Sequence, residues 1–422
     1  MAKYLIQISL VVVTHFSSTP GAAASFQDRR PDVPVFVLEE IWRVGGIDAV
    51  PEAEFTGPFF ATAFGPNGEA TVLDQMQARV SMFHGGNGAF LRAFGREGQG
   101  PGDLHAPAAM AWDNRARLWI ANSFNGRYTV FDTTGELVKI VSRPMHSTNL
   151  RVFPLVVTRS GTIMDHSPAG PRVRVLVMDT LGAVQDSMEF VRSHSARLPV
   201  GLVMPGSELS RSLTAVAGLQ ARSYWAYSRD AQSIWLARSD SLSLIQVSPS
   251  GDTIRQVRTT HRKAEFTPAQ RDAIRRANRL LEEDGDFSPI LVQRLHVLED
   301  GRVLVQLGND WSTPGREFEL FDSTGTWLGS VMAPFAVHHR SELASRGDTL
   351  LVSAVGQARC ALADQGGAEA SWCAATVSSS STTLAPRAGP VPTHRHNSCR
   401  LRRFDAQWNA APPTPRLRGA HA

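Results

Sequence analysis

The chain has 422 residues, of which 42% are hydrophobic and 19% charged, so it can bury a sizeable core. This composition excludes a wholly disordered chain and a protein with many membrane spans. The net charge of +4 suggests a nucleic-acid or membrane-surface partner, and the length alone suggests two or three domains.

The first 24 residues have the composition of an export signal. Lys3 supplies a positive charge, residues 5–13 form a short apolar run, and Ala22 to Ala24 offer a small-residue cleavage site. The apolar run is too short to span a bilayer comfortably. We therefore expect a signal peptide over residues 1–24 and a periplasmic or secreted protein without a membrane span. The alternative is that this segment is a buried first strand.

Between residues 35 and 355, one turn pattern recurs, in which an apolar strand ends in a small polar loop that closes on glycine. An Asp at the start of such a turn accepts a hydrogen bond from the backbone two residues on, and glycine tolerates positive φ, so each copy predicts a hairpin. A period of about 45 residues with several short strands is typical of β-propeller blades. The closing glycines are Gly88, Gly135, Gly182, Gly251 and Gly325.

Two of the intervals between these glycines are longer than the others, and each contains an insertion. The insertions are residues 193–215 and 261–287. The second predicts a helix, with Thr267 as N-cap and Pro268 at the first helical position, continuing from Ala269 to Glu283. A thin apolar stripe of Ile274, Leu280 and Leu281 predicts that this helix lies on the surface of the body.

Residues 94–141 carry the clearest copy of the repeat. They contain Gly-x-Gly-Pro-Gly-x-Leu over residues 98–104, Asn-Gly-Arg over 125–127 and Phe-Asp-x-x-Gly over 131–135. This order resembles an NHL repeat, in the six-bladed β-propeller form of exported bacterial proteins, and the resemblance covers residues 35–355. It implies an all-β fold of six four-stranded blades over the mature body, residues 25–355.

The sixth blade departs from the family pattern. The segment Val35–Val44 has the composition of an outermost strand, which would close the last blade and remove an exposed sheet edge. After Val355, however, no third strand follows. Either residues 371–378 are a degraded strand or the blade is incomplete.

Residues 356–422 differ in composition from the rest of the chain, and we expect a low-complexity, disordered basic tail there. The tail carries eight arginines against three acidic residues, so its charge exceeds that of the whole chain and leaves the body slightly negative. We therefore expect no nucleic-acid partner for the body, although a basic arm remains an alternative for the tail. Its three cysteines, Cys360, Cys373 and Cys399, lack metal-binding spacing, and their odd number argues against a disulfide framework.

No residue is assigned a catalytic, cofactor-binding or metal-binding role. The Gly95-x-x-Gly98-x-Gly100 run is expected to form turns, because no helix follows it. His338-His339 and His394-x-His396 have no carboxylate partners nearby in sequence, which is weak support for a metal site. The tryptophans of the repeats, expected to pack between sheets, are at positions 42, 112, 119, 225, 235, 311 and 327.

Two functions from different classes follow from the resemblance. The favoured one is a monomeric, non-catalytic binding or scaffold protein that recognises a protein, peptide or glycan through its channel face. The alternative is a metal-dependent propeller hydrolase or lyase, similar to the lactonases, with Glu, Asn, Asp or His holding a divalent metal in the central channel. The inner strands predicted over residues 59–64, 106–112 and 153–157 are nearly free of such ligands, which favours binding.

Overall fold

The computed structural model describes residues 8–18, 34–45, 53–55, 60–144, 153–169, 172–192, 216, 219–259, 261–281, 287–308, 315–338 and 341–355. This part of the chain is all-β with one helix, and its small antiparallel sheets have a propeller-like arrangement. None of its helical structure is long and apolar enough to cross a membrane. The predicted insertion at 193–215 and the tail at 356–422 lie outside the described residues.

Four sheets have four strands each, and consecutive strands are neighbours in every one of them. The first sheet contains β3 (Phe60–Phe64), β4 (Ala70–Asp74), β5 (Arg79–Phe83) and β6 (Phe90–Phe94). The second contains β7 (Pro107–Trp112), β8 (Leu118–Asn122), β9 (Arg127–Phe131) and β10 (Leu137–Ser142). The third contains β11 (Val156–Val157), β12 (Ile163–Ala169), β13 (Arg172–Met178) and β14 (Val184–Val191). The fourth contains β15 (Ser223–Tyr227), β16 (Ile234–Arg238), β17 (Ser243–Val247) and β18 (Thr253–Arg258).

A fifth sheet has eight strands and joins the two ends of the described chain. In spatial order it contains β19 (Val292–Val297), β20 (Val303–Leu307), β21 (Gly315–Phe321), β22 (Trp327–Val337), β2 (Val35–Val44), β1 (Ile8–Ser18), β24 (Thr349–Val355) and β23 (Ala344–Arg346). All of its neighbours are antiparallel except β2 and β22, which are parallel. The predicted outermost strand over residues 35–44 is thus a strand of this sheet.

Strand β1 falls within the segment that the sequence assigns to a leader. It lies between β2 and β24, with Val12 opposite Trp42 on one side and Leu351 on the other. It therefore supplies a strand next to β24, where the sequence after Val355 does not obviously supply one. Whether residues 1–24 are cleaved stays a prediction.

The predicted Asp–Gly turns are confirmed, and they also join neighbouring sheets. The Asp132 carboxylate accepts hydrogen bonds from the backbone of Thr134 and Glu136, at 2.8 and 3.0 Å. Gly135 has φ +92°, and a Cβ there would lie 2.6 Å from Phe94 of the first sheet. Glycine is therefore required both by the turn and by its close approach to the preceding sheet.

A basic side chain on the outer strand repeatedly reaches the turn of the following sheet. The third sheet is an exception, because Asp186 stands there in place of a basic residue. Asp186 lies opposite Val177, just as Lys139 of the second sheet lies opposite Val130. The side chains with this role donate to backbone carbonyls: Arg92 to Thr133, Lys139 to Thr180 at 3.1 Å, and Arg255 to Ser323 at 3.0 Å.

The core lies between adjacent sheets, where the face of one sheet packs against the face of the next. Trp119 and Trp235 are fully buried, as the sequence predicts for these positions. Trp119 packs with Tyr128 against Phe153 at the edge of the third sheet. Trp311 lies outside the described residues.

The predicted helix is confirmed as α1 (Pro268–Leu281). The Thr267 hydroxyl accepts a hydrogen bond from the Gln270 backbone at 3.2 Å, and the Gln270 side chain accepts one from the Thr267 backbone at 2.9 Å. This reciprocal pair is a capping box. The buried face differs from the predicted stripe, because Leu280 is exposed while Ala273 and Ala277 pack with Val216, Leu219 and Ile290.

Candidate functional site

A narrow cavity of about 60 Å³, which we call the channel, lies among the inner strands. Such a volume holds a few water molecules or a projecting side chain. The lining comes from six segments: β3, β7, residues 153–156, β15 with Arg229, β19, and residues 342–343 ahead of β23.

The channel is lined by apolar and by polar side chains. Ala63, Met110 and Leu155 line it from the first three sheets, Arg229 lines it from the end of β15, and His296 and Glu342 line it from the eight-stranded sheet. Ligand sites in proteins are mostly apolar with a few convergent polar groups. The channel is more polar than this average, because Thr62, Tyr227, Arg229, His296 and Glu342 all contribute to its lining.

Three residues, which we call the channel cluster, lie together at the channel: His296 and Glu342 line it, and Arg294 contacts Glu342. The Arg294 guanidinium contacts the Glu342 carboxylate, and His296 Nδ1 lies 3.9 Å from Glu342 Oε2. Glu342 is held in turn by its backbone carbonyl, which accepts a hydrogen bond from the Thr62 hydroxyl on β3 at 2.8 Å. The cluster therefore connects β19, the segment ahead of β23, and the first sheet.

A β-bulge sets the positions of Arg294 and His296 on β19, and His296 lines the channel. The pairing of β19 with β20 shifts register between Val292 and Arg294, so Gln293 is an extra residue. Beyond the bulge, residues two apart share a face of the strand, which places Arg294 and His296 together. Val292 and Leu295 both pack in the core although they are three residues apart, a spacing that would place them on opposite faces of a regular strand.

The channel cluster keeps contact with solvent while its histidine stays neutral. The side chains of Arg294 and Glu342 are 15% and 16% exposed, and that of His296 is 3% exposed. Burial lowers the pKa of His296 well below its usual value, and the neighbouring Arg294 cation lowers that pKa further. At neutral pH the cluster is thus one ion pair beside an uncharged imidazole.

A second group, which we call the enclosed cluster, joins the second and third sheets: Tyr128, Arg143 and Asp165. Asp165 accepts hydrogen bonds from Arg143 Nε at 2.7 Å, Arg143 Nη2 at 3.1 Å and the Tyr128 hydroxyl at 2.6 Å. The side chains of Arg143 and Asp165 are both 0% exposed. The Arg143 guanidinium also lies 5.1 Å from the Phe153 ring centroid.

Charge pairing decides the ionisation of the enclosed cluster. Burial raises the pKa of Asp165, but the Arg143 cation outweighs burial and holds that pKa below its ordinary value. Burial, reinforced by the Asp165 charge, raises the pKa of the Tyr128 hydroxyl well above 10. Asp165 is therefore ionised and Tyr128 neutral at physiological pH.

His166 lies between the enclosed cluster and the fourth sheet. Its ring meets Phe153 at 4.3 Å and Trp225 at 4.9 Å, both edge-on. Burial lowers the pKa of His166 to about 3, although the Asp165 carboxylate opposes that change. Its Nδ1 and the Nη1 of Arg143 are buried without a hydrogen-bond partner among the described residues.

The glycine run at 95–100 forms turns, as expected. The Asp103 carboxylate accepts hydrogen bonds from the Gly100 backbone at 2.9 Å and from Arg96 Nε at 2.6 Å. A Cβ at Gly98 would lie 2.4 Å from that same carboxylate. The space that a bound phosphate would need is therefore occupied by the protein's own acidic side chain.

Of the other histidine and cysteine candidates, the structure describes His338. The His338 backbone donates to Ser353 at 2.9 Å, within the sheet. His339, His394, His396 and the three cysteines lie outside the described residues. Among the residues that the structure describes, no group of three or more His, Cys, Asp or Glu is arranged to hold a metal ion.

The channel cluster was not identified from the sequence. Its histidine and arginine lie in Val-Gln-Arg-Leu-His-Val over residues 292–297, where the bulge breaks the two-residue alternation. Glu342 lies outside any strand, ahead of the three-residue β23. A search that allows one extra residue per strand could have placed Arg294 and His296 on one face, but nothing local marks Glu342.

No protein-family model and no curated protein matches the chain. Among solved structures, it is similar to virginiamycin B lyase from Staphylococcus aureus with quinupristin, at 10% identity and TM-score 0.39 over 75% of this chain and 90% of that one. It is similar to a gluconolactonase from Xanthomonas campestris, at 16% identity and TM-score 0.37 over 70% and 85%. It is also similar to BamB from Moraxella catarrhalis, at 10% identity and TM-score 0.31 over 76% and 66%. At these values the functional interpretation rests on the chain's own side chains.

Proposed function

We propose that this chain is a non-catalytic binding protein that acts outside the cytoplasm and takes a side chain of a peptide or protein segment into the channel. The observation that carries the proposal is the cavity in which apolar side chains, among them Met110 and Leu155, line the same space as His296 and Glu342. A narrow cavity with one ion pair suits a projecting side chain better than a whole ring system. The apolar side chains in this lining favour a peptide over a glycan, whose surface is largely hydroxyl groups.

The same proposal includes a ring of six blades of the NHL type. In it the eight-stranded sheet is two adjoining blades, β19–β22 and then β23, β24, β1 and β2. Support comes from the six segments that line the channel, one for each proposed blade. N-terminal strands in the last blade would close the ring and remove a free sheet edge.

Export and ring closure make opposite demands on residues 8–18. Cleavage of a 24-residue leader would remove β1, whereas a complete sixth blade uses it. Mass spectrometry of the N-terminus of the protein recovered from outside the cytoplasm distinguishes the two. A chain that begins near Ser25 supports the leader, and one that retains residues 8–18 supports β1 as a permanent strand.

The binding proposal is tested by selecting displayed random peptides on the purified protein and measuring their affinity for two variants. Glu342→Gln removes the charge of the channel cluster, and we expect it to weaken binding about tenfold or more. The control is Glu189→Gln, which removes the partner of Arg174 on the outer surface, where the two side chains are 32% and 53% exposed. Equal affinities for the two variants would contradict the proposal.

The metal-dependent alternative has its own test. His296 and Glu342 could supply two ligands in the channel, and the described residues do not complete a set of three. A panel of lactones and esters, assayed with and without added divalent metal, measures turnover directly. Metal-dependent turnover that is lost in His296→Gln would replace the binding proposal with the enzymatic one.

A further inference from the structure

Arg229 brings a positive charge to the mouth of the channel. It lines the cavity together with Glu342 and His296, and it is exposed, whereas the side chains of those two residues are 16% and 3% exposed. Of these three polar groups, Arg229 therefore lies nearest to solvent. The surrounding protein lowers the pKa of Arg229, as expected for a side chain in a concave opening, and the guanidinium stays charged at physiological pH.

A hydrogen-bonded turn after β15 fixes the backbone of Arg229. The Ala231 backbone donates to the Ser228 carbonyl at 2.9 Å, and the Ser228 backbone donates to the Ser233 carbonyl at 2.9 Å. Arg229 is the second residue of this turn, and Ala226 of the preceding strand also lines the channel. The cation therefore extends from a fixed backbone beside the cavity.

The carboxylates closest to Arg229 in sequence and in charge are engaged elsewhere. Asp230 accepts a hydrogen bond from the Ser228 hydroxyl at 2.6 Å, within the turn. Glu299 is the carboxylate that acts on the Arg229 charge, and it accepts a hydrogen bond from the Gly347 backbone at 3.2 Å. Among the described residues, none forms a hydrogen bond or an ion pair with the Arg229 guanidinium, on which Glu299 acts from a longer distance.

The charges at the channel leave one positive charge unbalanced. Arg294 contacts Glu342, so these two charges offset each other, and His296 is uncharged at neutral pH. Arg229 is the remaining ionised group of the described lining. A ligand that brings one negative charge to the mouth of the channel is therefore electrostatically complementary to it.

A carboxylate fits Arg229 better than a phosphate group does. A carboxylate carries one negative charge and accepts two parallel hydrogen bonds from a guanidinium group. A phosphate monoester carries up to about two charges and is typically recognised by a cluster of arginines, whereas the described lining contains one arginine. Because the cavity of about 60 Å³ admits one side chain, the carboxylate belongs to the inserted residue or to its neighbour.

We propose that Arg229 binds a ligand carboxylate beside the inserted side chain, so that the protein selects peptides with a negative charge at that place. This inference rests on the proposed function and names its ligand class. Two parts of a peptide carry such a carboxylate: the C-terminus, directly after the last side chain, and an Asp or Glu next to the inserted residue. The inserted side chain itself contacts apolar lining residues such as Met110 and Leu155.

Arg159 offers a matched control because it has the same turn position in the third sheet. The Gly161 backbone donates to the Thr158 carbonyl at 3.1 Å, just as Ala231 donates to Ser228 in the fourth sheet. Arg159 is exposed and is not among the described residues that line the channel. Replacing either arginine removes a charge from the second residue of a turn, but the two differ in their access to the channel.

The experiment compares labelled peptides with and without the carboxylate. One arm uses fluorescein-labelled pentapeptides that end in Leu, Met or Phe, each as the free acid and as the C-terminal amide. The other arm uses labelled, amidated pentapeptides in which an internal Leu, Met or Phe is followed by Asp or by Asn. Fluorescence anisotropy measures their affinity for the full chain and for Arg229→Gln, Arg229→Lys, Arg159→Gln and Glu342→Gln. Melting temperatures show whether all variants are folded.

In at least one arm, we expect the peptide with the carboxylate to bind about tenfold or more tightly than its neutral partner, and that arm identifies the source of the carboxylate. Arg229→Gln should abolish this preference without changing the affinity for neutral peptides. Arg229→Lys should keep part of the preference, and Arg159→Gln should keep all of it. Glu342→Gln should weaken both members of each peptide pair, because the proposed function assigns Glu342 to the inserted side chain. The preference should shrink as salt increases, since Arg229 is exposed.

Two results would overturn the inference while leaving the proposed function intact. One is equal affinity for acidic and neutral peptides in both arms. The other is a preference for the carboxylate that persists in Arg229→Gln, which would place the carboxylate at another residue. If none of the peptides bound, the proposed function and the inference would both be contradicted.

Discussion

The enclosed cluster and the channel cluster contain the same chemistry in two environments. Each pairs an arginine with a carboxylate and has a neutral histidine beside it. In the enclosed cluster Arg143 and Asp165 are 0% exposed, whereas Arg294 and Glu342 in the channel cluster are 15% and 16% exposed. Three hydrogen bonds to Asp165 hold the first cluster closed across two sheets. The difference indicates that the enclosed cluster stabilises the fold, while the channel cluster keeps partial contact with solvent, as the proposed binding role requires.

The largest effect is expected from Asp165→Asn in the enclosed cluster. It leaves the fully buried Arg143 charge without its counterion, which costs about 3–5 kcal/mol of unfolding free energy. Urea denaturation measures the loss. The control is Asp186→Asn, which changes an exposed residue of the same sheet and should shift stability by less than about 0.5 kcal/mol. Similar small losses for both variants would show that the enclosed cluster does not stabilise the fold.

The next effect is a loss of stability in mild acid, since both histidines are held neutral. The pKa of His166 falls to about 3 in the folded chain, and that of His296 lies well below 6.5. Below about pH 6.5 the unfolded chain therefore binds protons that the folded chain does not, and stability declines as the pH falls. Each histidine contributes a slope of roughly 1.4 kcal/mol per pH unit in that window.

His296→Gln tests this contribution because it removes one titrating group. Urea denaturation between pH 4.5 and 7.5 gives the slope of the unfolding free energy against pH. In His296→Gln this slope should correspond to about one proton fewer than in the unmodified chain. The exposed His84 provides the control, and the slope of His84→Gln is measured beside that of His296→Gln. An unchanged slope in His296→Gln would show that this imidazole takes up a proton in the folded state.

A smaller effect on stability is expected from Glu342→Gln in the channel cluster. Arg294 keeps some contact with water after the change, so we expect a loss of about 1 kcal/mol, well below that of Asp165→Asn. Peptide affinity should respond in the opposite order, with a larger loss in Glu342→Gln than in Asp165→Asn. A loss of stability as large as that of Asp165→Asn would erase the distinction between the two clusters.

The smallest effect is expected from Lys139→Ala, which removes the hydrogen bond from the second sheet to the turn of the third. Its Nζ donates to the Thr180 carbonyl at 3.1 Å and lies 4.6 Å from the Trp119 ring centroid. We expect a loss of about 0.5–1.5 kcal/mol in urea denaturation. The exposed neighbour Val138→Ala should change stability less. An unchanged free energy of unfolding in Lys139→Ala would show that this contact does not help to join the sheets.

The strands and turns of this chain are largely predictable from sequence because their causes are local. The turn at Asp132–Gly135 follows from the bonds that an aspartate makes to its own backbone and from the positive φ of its glycine. The cap of α1 at Thr267 is likewise local. Strand β1 was the less favoured interpretation because its short apolar run also matches an export signal.

Neither cluster is predictable in this way, since both are assembled from distant parts of the chain. Tyr128, Arg143 and Asp165 come from two sheets, and each looks like an ordinary strand or loop residue in sequence. Arg294 and His296 share a face only because of a bulge that depends on pairing with β20. Local patterns carry no information about such pairings, so the channel cluster appears only in the structure.

The central claim is that a peptide side chain enters the channel, and methyl NMR tests it most directly. Met110 lines the channel, whereas Met82 is buried between sheets at 1% exposure. The chain is labelled at its methionine methyl groups, and the two signals are assigned with the variants Met110→Leu and Met82→Leu. A peptide from the selection is then titrated into the labelled chain. The account predicts that the Met110 signal shifts with the binding curve while the Met82 signal stays in place. A saturating peptide that leaves Met110 unmoved would contradict it.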